Sequence, residues 1–284
     1  MPVETSVRTT QLPPGEAVPV LGQGTWHFAE DPRRRKDEIA ALRLGLDLGM
    51  TLIDTAEMYA DGGAEELVGE AIAGRRDQVF LVSKVLPHHA TLHGTIAACE
   101  ASLQRLGTDE LDLYLLHWRG PIPLDETLEA FDALVAAGKI RYWGVSNFDA
   151  EDMEELVSLP GGDAVATDQV LYNLTRRGIE WDLLPWCQER GLPIMAYSPI
   201  EQARMLNHPA LRNIAARHPG ATPAQVALAW LLTREGVIAI PRAGTPAHVV
   251  ENRNALDLRL TAQDLADLDR AFPPPTGKQP LAVL

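Results

Sequence analysis

Val79-Phe80-Leu81-Val82-Ser83-Lys84 is the stretch on which the fold turns. It is mostly apolar, too short for a helix, and followed by a turn. A run of that length with no polar alternation reads as a strand buried on both faces, the kind found in parallel sheets. Similar runs recur at 51–54, 111–117 and 140–146, each followed by a turn and a segment of helical period, and the series continues at 166–170, 193–198 and 237–240. Helical stretches such as 149–159 and 223–234 lie between them, with Asp149 and Thr222 as N-caps. Thr222-Pro223-Ala224-Gln225 carries a capping hydroxyl, a proline at the first helical position and a glutamine three residues after the cap. An eighth strand at 22–25 completes a set of eight βα units. Residues 7–11 and 17–20, around Pro13-Pro14-Gly15, read as a hairpin closing one end. The pattern is an α/β fold, a (β/α)8 TIM barrel with an N-terminal β-hairpin cap. No Pro/Gly/Ser linker divides the chain and only 272–284 is irregular, so residues 1–284 are expected to form a single barrel domain.

Composition narrows the function. The 284 residues are 46% hydrophobic and 23% charged, which excludes a disordered chain. With 25 basic against 39 acidic side chains the net charge is −14, and a nucleic-acid surface needs a basic stripe that is missing. The one basic run, Arg33 to Lys36, is bracketed by Glu30, Asp31, Asp37 and Glu38 and reads as a solvated first helical turn. Cys99 and Cys187 form neither a disulfide framework nor a CxxC motif. Neither a signal peptide nor an 18-residue apolar span is present, so a cytoplasmic protein without a membrane partner is expected. His89 and His93 would share a face on one helix, but Thr91 between them looks like a helix start and no third ligand is near; no metal is expected. Gly22-Gln23-Gly24 lacks the third glycine and the following helix of a dinucleotide-binding Rossmann turn.

In a barrel the working groups come from the carboxyl ends of the strands, and there the sequence places Asp54, Lys84 and His117, with Tyr59 nearby. Each has a bland explanation by itself, but together they are chemically coherent. A tyrosine is a protonated donor at neutral pH, and a neighbouring ammonium is expected to lower its pKa. A buried lysine tends to lose its proton, and a carboxylate such as Asp54 holds it cationic. A neutral His117 orients a carbonyl oxygen. This set activates a carbonyl. Residues 237–240 lead into Pro241-Arg242-Ala243-Gly244-Thr245-Pro246 and a helix, where Thr245 as cap, free amides and Arg242 make an anion site.

Gly24-Thr25-Trp26, Asp54-Thr55-Ala56-Glu57-Met58-Tyr59, Leu115-Leu116-His117-Trp118 and Gly144-Val145-Ser146-Asn147-Phe148 resemble the signature blocks of the aldo-keto reductases, in the short-loop bacterial form. Gln169, Ala196-Tyr197-Ser198-Pro199 and Ile240-Pro241-Arg242 extend the likeness, which runs from about residue 22 to 252. The resemblance implies a barrel, usually monomeric, that reduces an aldehyde or ketone with NADPH. By the same likeness Tyr59 is the general acid, Lys84 and Asp54 tune it, and His117 orients the carbonyl. Ser146, Asn147 and Gln169 match the carboxamide-binding positions, and Tyr197 the ring stacked on nicotinamide. Gly24, Thr25, Trp26, Ser198, Pro199, Ile200, Pro241, Arg242, Ala243, Gly244, Thr245, His248, Glu251 and Asn252 complete the implied cofactor site, and Trp26 and Trp118 line the substrate pocket.

Arg242 stands where the family usually has lysine, Ala243 where serine is common and His248 where arginine often is. NADP(H) is preferred with NAD(H) possible, because the planar Arg242 fork still suits a 2′-phosphate. Arg119 replaces a common proline, and its charge either favours anionic substrates or belongs to the solvent-facing rim. The brief segment after His117 and the short proline-rich tail suggest an open pocket for small aldehydes such as methylglyoxal or for sugar-derived ketones. Two alternatives remain: a cofactor-binding regulatory or sensor subunit with incidental turnover, and a hydrolase using Asp54 and Glu57, which leaves Lys84, Asn147, Gln169 and Arg242 without roles.

Overall fold

A computed structural model describes residues 7–13 and 15–284. Its main sheet runs β3 (Gln23–Gly24), β4 (Leu52–Asp54), β5 (Phe80–Val85), β6 (Leu111–Leu116), β7 (Ile140–Ser146), β8 (Asp168–Leu171), β9 (Ile194–Tyr197) and β10 (Val237–Ala239), each parallel to its neighbour in chain order. Closure comes from parallel bridges Leu21↔Ala239 and Gly24↔Arg242, with the Gly22 and Gly24 amides donating to Ala239 and Pro241. A Cβ at Gly24 would lie 2.7 Å from the Ile240 carbonyl oxygen, so this seam requires glycine. The expected (β/α)8 barrel is the observed one.

The ladder is shorter at several ends than the apolar runs suggest. Thr51, Val79 and Ala166 precede strands β4, β5 and β8 rather than opening them. Hydrogen-bond register with the neighbouring strand ends a strand, and an apolar side chain can continue past it.

Hairpin strands β1 (Thr9–Gln11) and β2 (Ala17–Pro19) pair antiparallel. Leu12 and Val18 enter the barrel interior beside Leu52, Phe80, Val82, Leu113, Leu115, Met195 and Ile238, so the hairpin closes the amino-terminal end. Pro14, in the expected turn, lies outside the described residues. A second and larger core fills the space between sheet and helices.

Those helices are α1 (Arg35–Asp47), α2 (Gly63–Ile72), α3 (Leu92–Leu106), α4 (Leu124–Ala136), α5 (Ala150–Ser158), α6 (Leu183–Glu189), α7 (Pro209–Arg217), α8 (Pro223–Leu232), α9 (Pro246–Asn254) and α10 (Ala262–Ala271). Asp149 and Thr222 cap α5 and α8 through complete capping boxes, as their spacing predicts. Described helices exceed the eight of the repeat, because two follow β9 and two follow β10. Among the described residues no helix is long and apolar enough to cross a membrane.

Strand periodicity sets up the site. Alternate residues face the same way, so Phe80, Val82 and Lys84 of β5 share the inner face, as do Leu113, Leu115 and then His117 past β6, and Leu52 and Asp54 of β4. Apolar residues fill the barrel, and the last inward position of each of these strands is polar.

Candidate active site

Lys84 is fully buried and its Nζ donates to Asp54 Oδ2 at 2.8 Å and to the Thr55 carbonyl at 2.7 Å. The third direction of the ammonium points to the Tyr59 hydroxyl at 3.3 Å. Tyr59 reaches this point from a turn after β4 in which Ala60 and Asp61 take left-handed backbone angles, φ 49° and 52°. Such angles cost energy for residues with a Cβ and persist where surrounding contacts impose them. The His117 ring meets the Tyr59 ring edge-on with centroids 5.8 Å apart, and Trp118 lies 4.9 Å from His117. The four residues expected at the strand ends therefore converge at the carboxyl end of the barrel.

Burial controls their protonation. Desolvation, then the negative charge of Asp54, holds the Tyr59 phenol well above its ordinary value. This corrects the expectation that Lys84 lowers it: the ammonium is engaged by Asp54, and the phenol is kept protonated. Lys84 is lowered by desolvation, opposed by Asp54. His117 is pushed down to about 2 by burial and then by the Lys84 charge, so its imidazole is neutral, and its Nδ1 is buried with no hydrogen-bond partner among the described residues.

A hydrogen-bonded chain leads away from this cluster. Gln169 Nε2 donates to the second Asp54 oxygen at 2.7 Å, Ser146 Oγ donates to the Gln169 carbonyl at 2.7 Å, and Asn147 Nδ2 donates to Ser146 Oγ and to the His117 carbonyl. Tyr197 OH closes the run on Asn147 Oδ1 at 2.8 Å. Asn147 holds φ 59°, immediately after β7. The Asp54–Gln169 bond spans 115 positions, and no local spacing signals it.

Further along the rim, Trp26 stacks on His27 and Thr25 Oγ1 donates to the Asp54 carbonyl. Ser198 and Ile200 flank buried Pro199 in a loop with left-handed angles at Ser198, Glu201, Gln202 and Ala203. Glu201 anchors that loop by accepting from Asn173, Arg176 and Arg204, three residues the sequence reading did not single out. Thr245 caps α9 by accepting from the His248 amide, and Pro241, Ala243 and Gly244 are buried beside it. His248 is exposed. Glu251 is already engaged by the Thr222 hydroxyl, whereas Asn252 is buried with Nδ2 unpartnered among the described residues. Arg242 lies over the Phe28 ring, and Arg34, from the basic run at 33–36, reaches the same place.

The model of the aldo/keto reductase family matches residues 20–272. The chain belongs to the aldo/keto reductase family. It is 56% identical to methylglyoxal reductase YeaE of Escherichia coli K12 over 270 residues, 93% of this chain and 95% of that protein. It is 33% identical to a glyoxal reductase of Bacillus subtilis 168, covering 92% of this chain and 91% of the relative. An aldo/keto reductase from Klebsiella pneumoniae, solved with NADP and acetate, superposes with a TM-score of 0.95 at 54% identity, over 98% of this chain and 100% of that one.

Three further features of this aldo/keto reductase bear on positions the sequence singles out. Arg119 makes a forked pair with Glu155 at 2.7 and 2.8 Å and reaches Asp152, so its charge is compensated at the rim. His89 belongs to a short turn and pairs with Glu57, while His93 lies in α3; among the described residues no group of three or more His, Cys, Asp or Glu is placed to hold a metal ion. The tail is short but tied down. Lys278 pairs with Glu151, Leu281 packs on the core, and the Leu284 backbone comes up against the Tyr197 hydroxyl.

Proposed function

We propose that this chain is a single-domain, monomeric cytoplasmic reductase that converts small aldehydes or ketones, methylglyoxal among them, to alcohols with NADP(H) in preference to NAD(H). The observation that carries the reading is the buried Tyr59–Lys84–Asp54 line beside a neutral His117 at the barrel mouth. The relatives named for methylglyoxal and glyoxal reduction and the neighbour solved with NADP support it.

The residues present fit a dinucleotide. Asn252 offers a buried amide unpartnered among the described residues, and Arg242 stands at the capped start of α9. Ser146, Asn147 and Gln169 would hold a carboxamide, Tyr197 a flat ring, and Gly24 to Trp26, Ser198 to Ile200, Pro241 to Thr245, His248 and Glu251 the remainder. Bound there, the cofactor supplies the hydride.

The protein handles the proton and the electrostatics. Tyr59 donates its phenolic proton to the carbonyl oxygen as negative charge develops, and Lys84 stabilises the phenolate left behind. Asp54 keeps Lys84 cationic in a site whose burial favours the neutral amine. A neutral imidazole at His117 donates to the same oxygen without competing for the Tyr59 proton. Trp26 and Trp118 hold the carbonyl compound, and with Arg119 engaged by Glu155 and Asp152, small neutral substrates are favoured.

Loss of NADPH absorbance on adding methylglyoxal and a simple aromatic aldehyde, with NADH run in parallel, tests this. Turnover faster with NADPH is expected. Tight NADPH binding with no carbonyl reduced across the panel would overturn it.

A further inference from the structure

The basic run Arg33 to Lys36 reads in sequence as a solvated helical turn, and the fold separates its members. Arg33 pairs with Asp31 at 2.8 Å and Arg35 with Glu70 at 2.9 Å. Arg34 is placed differently. A Cβ built at Gly244 would lie 2.5 Å from Arg34 Nη2 and 3.6 Å from Arg242 Nη2, so two guanidinium groups from opposite ends of the chain converge over one glycine. Their nearest carboxylate is shared and distant: Glu38 Oε1 is 3.8 Å from Arg34 and 3.9 Å from Arg242, and its other oxygen accepts from the Ala29 amide. Glu30, the other acidic group acting on Arg242, is bound to His27.

Two guanidinium groups face each other with Glu38 too far from either to hydrogen-bond it, in a chain whose net charge is −14. Arg242 shows the strain of it, held below the ordinary arginine value by burial and then by Arg34. Beside the pair, Thr245 caps α9, a nine-residue helix whose positive end faces the same way. A group bearing two negative charges and several acceptor oxygens on one atom fits this arrangement, since each planar guanidinium can fork onto it.

We infer that Arg34 is a specificity-determining residue for the dinucleotide, forming with Arg242, over Gly244, a paired-guanidinium seat for the phosphomonoester on the adenosine ribose. The inference rests on the NADP(H) reading above and assigns that preference to a residue distant in sequence from the phosphate loop. Glycine at 244 lets the Arg34 guanidinium lie directly against the backbone of the loop.

Dissociation constants for NADPH and NADH, from quenching of protein fluorescence, test it in the full chain and in Arg34→Ala, Arg34→Lys, Arg242→Ala and Arg35→Ala, with adenosine 2′- and 5′-monophosphate as competitors. Arg34→Ala is expected to weaken NADPH and the 2′-monophosphate roughly 10- to 100-fold, with NADH and the 5′-monophosphate changing less than about twofold. Arg34→Lys should recover part of the loss, because it restores charge without the fork, and Arg35→Ala should leave the NADPH to NADH ratio as it is. An unchanged ratio in Arg34→Ala assigns the seat to Arg242 alone and overturns the inference. Equal weakening of both nucleotides makes Arg34 a structural residue and overturns it as well. Failure of the unaltered protein to bind NADPH would instead remove the functional reading itself.

Discussion

The two ends of the site are built on opposite principles. Around Tyr59 every charge is buried and closely partnered, with Lys84 fully enclosed and bonded to Asp54, Thr55 and Tyr59. Around Arg242 the charges are partly exposed, two of them are alike, and their one shared carboxylate is nearly 4 Å away. The first arrangement is complete without a ligand and holds protons in fixed places through a reaction. The second is left incomplete, so that binding energy is gained when an anion arrives. A buried ion pair contributes little net stability but is costly to break, whereas an exposed cation pair is cheap to alter and acts mainly on affinity.

The sharpest way to break that contrast is Tyr59→Phe. It removes the proton donor and none of the anion seat, so kcat should fall roughly 10²- to 10⁴-fold while the NADPH dissociation constant moves less than about twofold. Steady-state kinetics alongside fluorescence titration would read both, and a retained kcat would show that the proton comes from elsewhere. Lys84→Met should cost folding stability as well as activity. It leaves the Asp54 carboxylate buried with only Gln169 as a side-chain partner, a change worth about 3–5 kcal/mol in denaturant unfolding. Arg242→Ala, altering a partly exposed group, should leave the unfolding midpoint almost unmoved; comparable losses in the two variants would erase the distinction between the ends.

The smallest expected effect is at acid pH. Because His117 sits at about 2, it stays neutral from pH 5 to 8, and kcat should be level there. On the alkaline side Lys84, lowered by burial, loses its proton before Tyr59, which is raised. An ammonium is present below its pKa and lost above it, so activity should decline as pH rises through the Lys84 value, and Lys84→Met should abolish that decline. An acid limb near the ordinary imidazole value of about 6.5 that vanishes in His117→Gln would show that His117 is not held neutral.

Much of this was readable from residue order. The apolar runs ending in Asp54, Lys84 and near His117 announce inward-facing strand positions that turn polar at the barrel mouth, and period two then brings those side chains together. The caps at Asp149, Thr222 and Thr245 are equally local, since each is decided within four residues. Arg119 shows the opposite case. Its charge was visible beside the pocket, but its Glu155 and Asp152 partners come from α5, more than 30 positions on, so a free cation on paper is a neutralised one in the fold.

The sequence by itself determined the barrel, its hairpin cap, the Asp54, Tyr59, Lys84 and His117 set and the capped start of α9. These follow from periodicity and short-range spacing, which depend on neighbours a few residues away. Only the tertiary structure decided that Gln169 bonds Asp54, that the tail comes up beside Tyr197, and that Arg34 rather than Arg33 or Arg35 meets Arg242 over Gly244. Those outcomes depend on which loops the closed barrel brings within a few ångströms of one another, and charge partners act over such distances however far apart they stand along the chain.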